Sequence, residues 1–303
     1  MVTLLVAARA LADQIGGWGM FKVTRAPEAA DPDARRTLIS DELVDEDRDP
    51  TAFNDYVAYA AGGALGGEQV AVRREGYDGA SGILYTSGLF SLVPRVGQEI
   101  EYHARLARRR HLGEPGLREV LNEALDRLWF EERLPVVTGT GVRVACPTWI
   151  SSDRQLGPVL ATSDPSAAAY GTGQMASLVH DGSGRWIELS SPVSGASALV
   201  VRRPHGSWIR AGGTWADSSA GLVDDDDETM ADLEPLLVVA TWRAYRALNR
   251  RSPDFEQGPW KDEERRAEVK ATAYLQWGAG STVSPIGPVA GPPGSWSKGW
   301  RPG

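Results

Sequence analysis

Apolar residues recur with a helical period most clearly between Gly116 and Pro135, in the stretch GLREVLNEALDRLWFEERLP. Leu117, Val120, Leu121, Ala124, Leu125, Leu128 and Trp129 follow one another at steps of three and four, the spacing that lines one face of an α-helix. The pattern predicts one continuous helix from Gly116 to Arg133, entered after Pro115 and left at Pro135. On its polar face Glu119, Glu123 and Arg127 stand four residues apart, an order that lets opposite charges pair along the helix. A second helical zone runs from Glu228 to Asn249. Because Pro235 is tolerated only in a first turn, its stable part is expected to begin near Glu234. Leu237, Thr241, Ala244, Tyr245 and Leu248 then share a face, and Arg243, Arg246, Arg250 and Arg251 form a basic rim. Thr3 to Ile15 reads as a first helix closed by Gly16 and Gly17, and Asp262 to Trp277 as a polar last one.

Period-two patterning and turn residues predict strands elsewhere. Thr37 to Val44 and Tyr56 to Ala60 are short candidates. Glu68 to Leu106 reads as a meander with turns at Asp78-Gly79 and Ser81-Gly82, and Phe21 to Ala34 as an extended linker. After the long helix, a hairpin is expected around Gly139-Thr140-Gly141, between Val136 and Ala145. A second β layer follows, from Met175 to Val179, Trp186 to Ser190 and Leu199 to Arg203. The four aspartates Asp224 to Asp227 suit capping of the helix that follows them. The expected fold is therefore α+β: central amphipathic helices packed together, antiparallel β segments on both sides, and an extended C-terminal arm. The organisation follows as 1–35, N-terminal helix and linker; 36–112, β-rich segment; 113–255, helical core with an inserted β layer; and 256–303, polar helix and arm.

Composition narrows the function classes. Of 303 residues, 42 % are hydrophobic, enough for a sizeable core. The 34 Gly and 19 Pro favour turns and arms, and Ser281 to Gly303 is an extended arm by composition. The net charge of −8 excludes general affinity for phosphate backbones. A single cysteine, Cys146, excludes an intramolecular disulfide. No apolar run reaches the length of a membrane span, and the N-terminal segment lacks the basic start of an export signal.

Chemistry-bearing motifs are sparse. His103, His111, His180 and His205 stand apart from one another and from acidic partners at metal-ligand spacing. The Gly-Thr-Gly triplets at 139–141 and 171–173 lack the lysine and strand-to-helix context of a phosphate loop. Paired carboxylates such as Glu131-Glu132 are the only resource for hydrolytic or metal chemistry. No catalytic, cofactor or metal site is expected. Eleven tryptophans are many for this length, and Trp18, Trp215, Trp260, Trp296 and Trp300 lie outside periodic segments, as core plugs under loops or as interface anchors. Arg108, Arg109 and Arg110 form the densest basic cluster. It faces nucleic acid, phosphate or an acidic neighbouring subunit, or it pairs with Glu101 and Glu114 of its own chain.

The order of these parts is informative. A turn-rich β segment, VRREGYDGASGILYTSGLFSLVPRVGQEIEYH, is followed by a short basic link and then GLREVLNEALDRLWFEERLPVV. This arrangement resembles structural proteins of tailed bacteriophages, in particular the neck and head-to-tail connector (adaptor) family. The likeness covers Thr37 to Leu160 and extends more loosely from Met175 to Leu248. It implies a non-enzymatic virion component, assembled in the host cytoplasm, whose copies form a ring beneath the portal. A C-terminal extension would reach a neighbouring subunit or the portal. On that reading the partners are further copies of the chain, the portal and adjacent neck or tail proteins, with DNA passing through a lumen without specific binding and no membrane involved. Trp296 and Trp300 become candidate interface anchors, with Trp260, Trp277 and Arg108 to Arg110 as further contact residues. The chain is longer and richer in β structure than small adaptors, which leaves a tail or baseplate protein as an alternative. A carbohydrate-active or cell-wall hydrolase is the alternative from another class.

Overall fold

The computed structural model describes residues 1–28, 30–135, 143–146, 160–162, 176–189, 198–251 and 258–279. It combines α-helices with antiparallel sheets, an α+β fold. Contacts divide the chain into two compact units. The first consists of Ala8–Val120 with Ala244–Lys261. The second consists of Met1–Ala7, Leu121–Arg243 and the described residues from Asp262 on.

The chain opens with β1 (Val2–Thr3) and α1 (Leu4–Ile15), whose Leu4, Ala7, Ala8, Leu11, Ala12 and Ile15 are buried at helical spacing. Beyond Gly17, which turns the chain with φ 100°, the first unit forms one six-stranded sheet. Its strands are β2 (Trp18–Lys22), β3 (Thr37–Ile39), β4 (Tyr56–Ala60), β5 (Gln69–Asp78), β6 (Ile83–Thr86) and β7 (Glu99–Ala104), in the order β2-β7-β4-β5-β6-β3. The expected meander is thus corrected. β5 and β6 form a hairpin, but β7 crosses over to lie between β2 and β4. The linker expected from Phe21 begins only after Lys22. Pairing of β2 with β7 puts Phe21 into the core and leaves Met20 facing out, too few alternations to register as a strand pattern. Thr37 to Val44 is a strand only to Ile39. The Ser40 side chain then accepts from Glu42 N–H and starts a 3-10 turn.

The core of this unit gathers Phe21, Leu38, Phe53, Val72, Tyr77, Leu84, Phe90 and Ile100. Phe53 meets Tyr77 and Tyr102 edge-on at centroid separations of 4.9 and 5.2 Å. Such pairs add about 0.5–1.5 kcal/mol each beyond the area they bury.

The predicted long helix is shorter than its apolar stripe. α2 runs from Leu117 to Leu125, and Trp129–Pro135 is a strand, β8. The Glu119 carboxylate accepts from Gly116 N–H at 2.9 Å and caps the helix start. At its end the Leu128 N–H is shared between the carbonyls of Ala124 and Leu125, and the chain opens into seven consecutive pairs with β13 (Ala198–Pro204). That ladder outweighs a continued helical period, although Leu128 stays buried. Since Arg127 lies past the helix, the expected Glu123–Arg127 pair does not form. Glu123 instead binds Arg243, whose Nε lies 2.8 Å from Oε2.

Gly116 is where the backbone before α2 doubles back, with Leu117 N–H on Ala107 O (2.8 Å) and Arg118 N–H on Arg108 O (3.1 Å). A Cβ on Gly116 would stand 2.4 Å from the Arg109 carbonyl carbon and 2.8 Å from Ala107 O. Gly116→Ala should therefore cost about 1–3 kcal/mol, the scale of overpacking against atoms that cannot turn away. The urea midpoint measures it.

The second unit carries three small antiparallel sheets. β9 (Arg143–Ala145) lies beside β12 (Gly184–Leu189), which pairs with β11 (Ala176–Asp181). β10 (Leu160–Thr162) and β8 flank β13. The strands expected near 175–179, 186–190 and 199–203 are all present. Of the hairpin expected around 139–141, residues 136–142 lie outside the described set, and its second half is β9. The third sheet joins β1, β14 (Trp208–Ala211), β15 (Thr214–Asp217) and β16 (Glu228–Thr229). Pairing of β1 with β16 brings the start of α1 against the aspartate run. Leu4 and Leu5 N–H donate to the carbonyls of Asp227 (2.9 Å) and Asp225 (3.1 Å), while the Asp227 carboxylate accepts from Val223 and Asp224 N–H. The run thus caps α1 and its own loop, not the helix that follows it.

That helix, α3, spans Leu233–Arg250 with Pro235 in its first turn, and α4 spans Lys261–Ala279, as the pattern predicts. Within the second unit the Tyr274 hydroxyl of α4 lies 3.2 Å from Glu234 of α3.

Candidate functional site

The arginine cluster does not form one basic surface. Arg108 is 1 % exposed, with its guanidinium over the Tyr59 ring at 6.0 Å, which corrects its assignment as a contact residue. Arg109 is half-buried and clamped by Gln69, whose Oε1 accepts from the Arg109 N–H while Nε2 donates to the carbonyls of Arg109 and Arg110. Arg110 alone is exposed. The expected acidic partners are engaged elsewhere, Glu101 with Arg9 and Glu114 with Arg251.

Trp260 is likewise used within its own unit. Arg105 stacks over its ring at 3.9 Å, Tyr245 lies 6.4 Å away, and its backbone N–H donates to the buried Asn249 side chain. Arg105 also donates to the carbonyl of Ile15, at the end of α1, and its own carbonyl accepts from Arg251. Trp260 is therefore a peg of the first unit and not a free anchor. Trp277 falls in α4, but its side chain, like Trp296 and Trp300, lies outside the described residues.

The first unit instead contains a polar cluster that the sequence concealed. Glu101 and His103 are 1 % and 0 % exposed and, two apart on β7, share a face. His103 Nε2 lies 3.2 Å from Glu101 Oε2, and Arg9 of α1 holds Oε1 through Nε at 3.1 Å and through Nη2. Arg9 also covers the Trp18 ring at 4.9 Å. Burial by itself would raise the Glu101 carboxyl. The His103 imidazole beside it and the hydrogen bonds and charge of Arg9 reverse that and hold it at about 2. His103 is thus not isolated from acidic partners, as its sequence context suggested. The Glu-Tyr-His spacing on a strand was the available signal. Sealed from solvent, the pair cannot meet a substrate, and its chemistry is to fasten α1 to β7.

The first unit also carries two surface features on its loops. The first is a groove of about 340 Å³ between Gly62–Leu65 and the loop carrying Leu92, Val93 and Val96, rimmed by Arg95, Gln98 and Glu99. Leu92 and Val96 are 47 % and 64 % exposed. The second is a tight knuckle, His111 to Glu114, closed by reciprocal backbone bonds of 3.1 and 2.9 Å. Leu112 sits at its tip, 88 % exposed with φ 50°, before Gly113 at 84°. A leucine in the left-handed region costs roughly 1–2 kcal/mol, and the knuckle keeps it there.

Among the described residues no group of three or more His, Cys, Asp or Glu could hold a metal ion, and no helix is long and apolar enough to cross a membrane. Compared with known proteins, the chain matches no protein-family model, and no curated protein matches it.

Proposed function

We propose that this chain is a structural component of a tailed-phage particle, a head-to-tail connector or neck (adaptor) protein. It works through protein–protein contacts and not through catalysis. Copies of the chain would form a ring that joins the portal to neighbouring neck or tail proteins in the virion. The acidic net charge suits a lumen along which DNA slides without sticking. The order of the turn-rich β segment, basic link and helix supports this reading at the level of sequence. The structural observation that carries it is the groove of the first unit, where Leu92 and Val96 are held exposed beside Leu65 and Val93. Clustered apolar side chains on a polar surface are the usual mark of a protein contact site. A tail or baseplate protein would use the same surface. For a hydrolase, the sealed Glu101–His103 pair offers no support.

The test is the mass of the full-length chain by sedimentation velocity, with negative-stain images of the same sample. Rings of several copies are expected. A protein that stays monomeric at micromolar concentration overturns the reading. Deleting residues 281–303 should leave a folded protomer that no longer assembles; rings formed by the truncated chain would rule the arm out as a connector.

A further inference from the structure

We propose that the six-stranded sheet of the first unit is a barrel with a gate: it closes along a thin seam between the end of β2 and β3, and this seam, bolted from outside by Arg25, opens while the rest of the barrel stays folded. The proposal is independent of self-association and of the phage reading.

Three observations carry it. The first is closure. β2 and β3 are the two edges of the sheet, yet the chain just past β2 returns to β3, with Arg25 paired antiparallel to Ile39. The curl that closure requires is supplied by β5, whose register shifts between Val72 and Tyr77, a bulge of the kind that bends a strand. There Glu75 has φ 53°, and its N–H donates to the Asn54 side chain at 2.9 Å. Val23, Leu38 and Leu43, which flank the seam in sequence, belong to the core of the unit. The second observation is how little backbone crosses the seam. Among the described residues, Thr24 N–H (2.9 Å) and Arg25 N–H (3.4 Å) both donate to one carbonyl, that of Ile39, and no other backbone bond joins the two segments. One residue earlier, Val23 N–H donates to Gln98 O at 2.9 Å and extends the continuous β2–β7 ladder. The third is the bolt. The Arg25 guanidinium reaches over the seam, where Nη2 donates to Ser81 O (2.7 Å) ahead of β6 and Nε lies 3.3 Å from the Asp41 carboxylate beyond β3. Asp41 N–H in turn donates to the Thr24 hydroxyl at 2.9 Å. The Arg25 side chain is 53 % exposed, so its ion pair works in water, where such pairs are weak. A segment held by few, solvent-facing bonds opens at lower cost than the ladders beside it. Opened, a barrel without edges becomes a sheet with two.

Amide hydrogen exchange, followed residue by residue by NMR in the full-length chain, tests the gate, because neighbouring amides report opposite sides of one strand: Thr24 the seam and Val23 the ladder. After correction for local sequence, Thr24 should exchange about tenfold or more faster than Val23, with a weaker dependence on urea. Equal rates with equal urea dependence would mean that the seam opens only when the whole barrel unfolds, which overturns the proposal. Arg25→Ala should speed Thr24 by about a further fivefold while Val23 and the melting temperature stay where they were. Val23 speeding up in step with Thr24 would make Arg25 an ordinary stabiliser and overturn its role as bolt. Arg25→Cys/Ile39→Cys, in a Cys146→Ser background, puts two thiols on directly opposed residues, within disulfide reach. Oxidation should slow Thr24 to the rate of Val23, and reduction should restore the difference; a Thr24 rate indifferent to the bridge would refute the gate.

Discussion

Leu121→Asp should yield no folded protein. Leu121 is fully buried in α2. Truncating a buried leucine already costs about 2–5 kcal/mol. A carboxylate in its place adds several more, because an unpaired charge in an apolar interior must be desolvated or protonated. Together these approach the whole stability of a domain, about 5–15 kcal/mol. Leu121→Met keeps the volume and the apolarity and should cost less than about 1.5 kcal/mol. Circular dichroism and the soluble fraction on expression separate the two. A soluble Leu121→Asp protein that unfolds cooperatively would show that the α2 stripe is dispensable.

The second large effect belongs to Glu101. Its replacement by Gln removes the charge that holds Arg9 and faces His103, leaving a guanidinium and a buried imidazole without their carboxylate. Breaking a buried pair from one side costs about 3–5 kcal/mol. The same residue fixes a pH dependence. Its carboxyl is held at about 2 in the folded chain, against 4.5 ordinarily, so the unfolded chain takes up the proton first. The stabilisation is fully present above pH 4.5 and is lost as pH falls from there towards 2. Its size is about 3 kcal/mol, from the linkage between proton binding and unfolding. Urea unfolding at neutral pH and near pH 3 should show a steep decline in the wild-type chain and a shallower one in Glu101→Gln. Parallel declines would show that other carboxylates, and not this one, govern acid sensitivity.

The elements that sequence reading places well are those whose local pattern and tertiary role agree. α3 with its first-turn proline, α4, and strands such as Tyr56–Ala60 fall where expected. It fails where a distant partner decides. Leu128 and Trp129 continue the helical period of α2 in register, and only the ladder with β13, some seventy positions away, turns WFEERLP into a strand. The β14–β15 hairpin had a legible cue in Gly212-Gly213, both at positive φ, between alternating residues. There Trp215 stacks on Trp208, 6.2 Å away with planes 12° apart, inside regular structure.

The candidate site was less legible for related reasons. Three consecutive arginines look alike in sequence, but one lies against Tyr59 in the interior, one is clamped by Gln69, and one is free to face solvent. Glu101 and His103 were visible as a pair only once their strand was known to be buried on that face, and Arg9 reaches them from the opposite end of the unit's sequence. The groove joins Gly62–Leu65 to the loop carrying Leu92 and Val96, segments apart in sequence. No local pattern announces such a pairing.

The cap on α1 has a consequence for how the chain comes off the ribosome. Val2 and Thr3 pair with Thr229 and Glu228, and the first amides of α1 rest on the carbonyls of Asp225 and Asp227. More than two hundred positions separate these residues from their partners. Contacts of such sequence separation form late. Until then α1 has an open N-terminus even though Arg9 can already hold it to Glu101 of β7, so the cap is the last part of the helix to close.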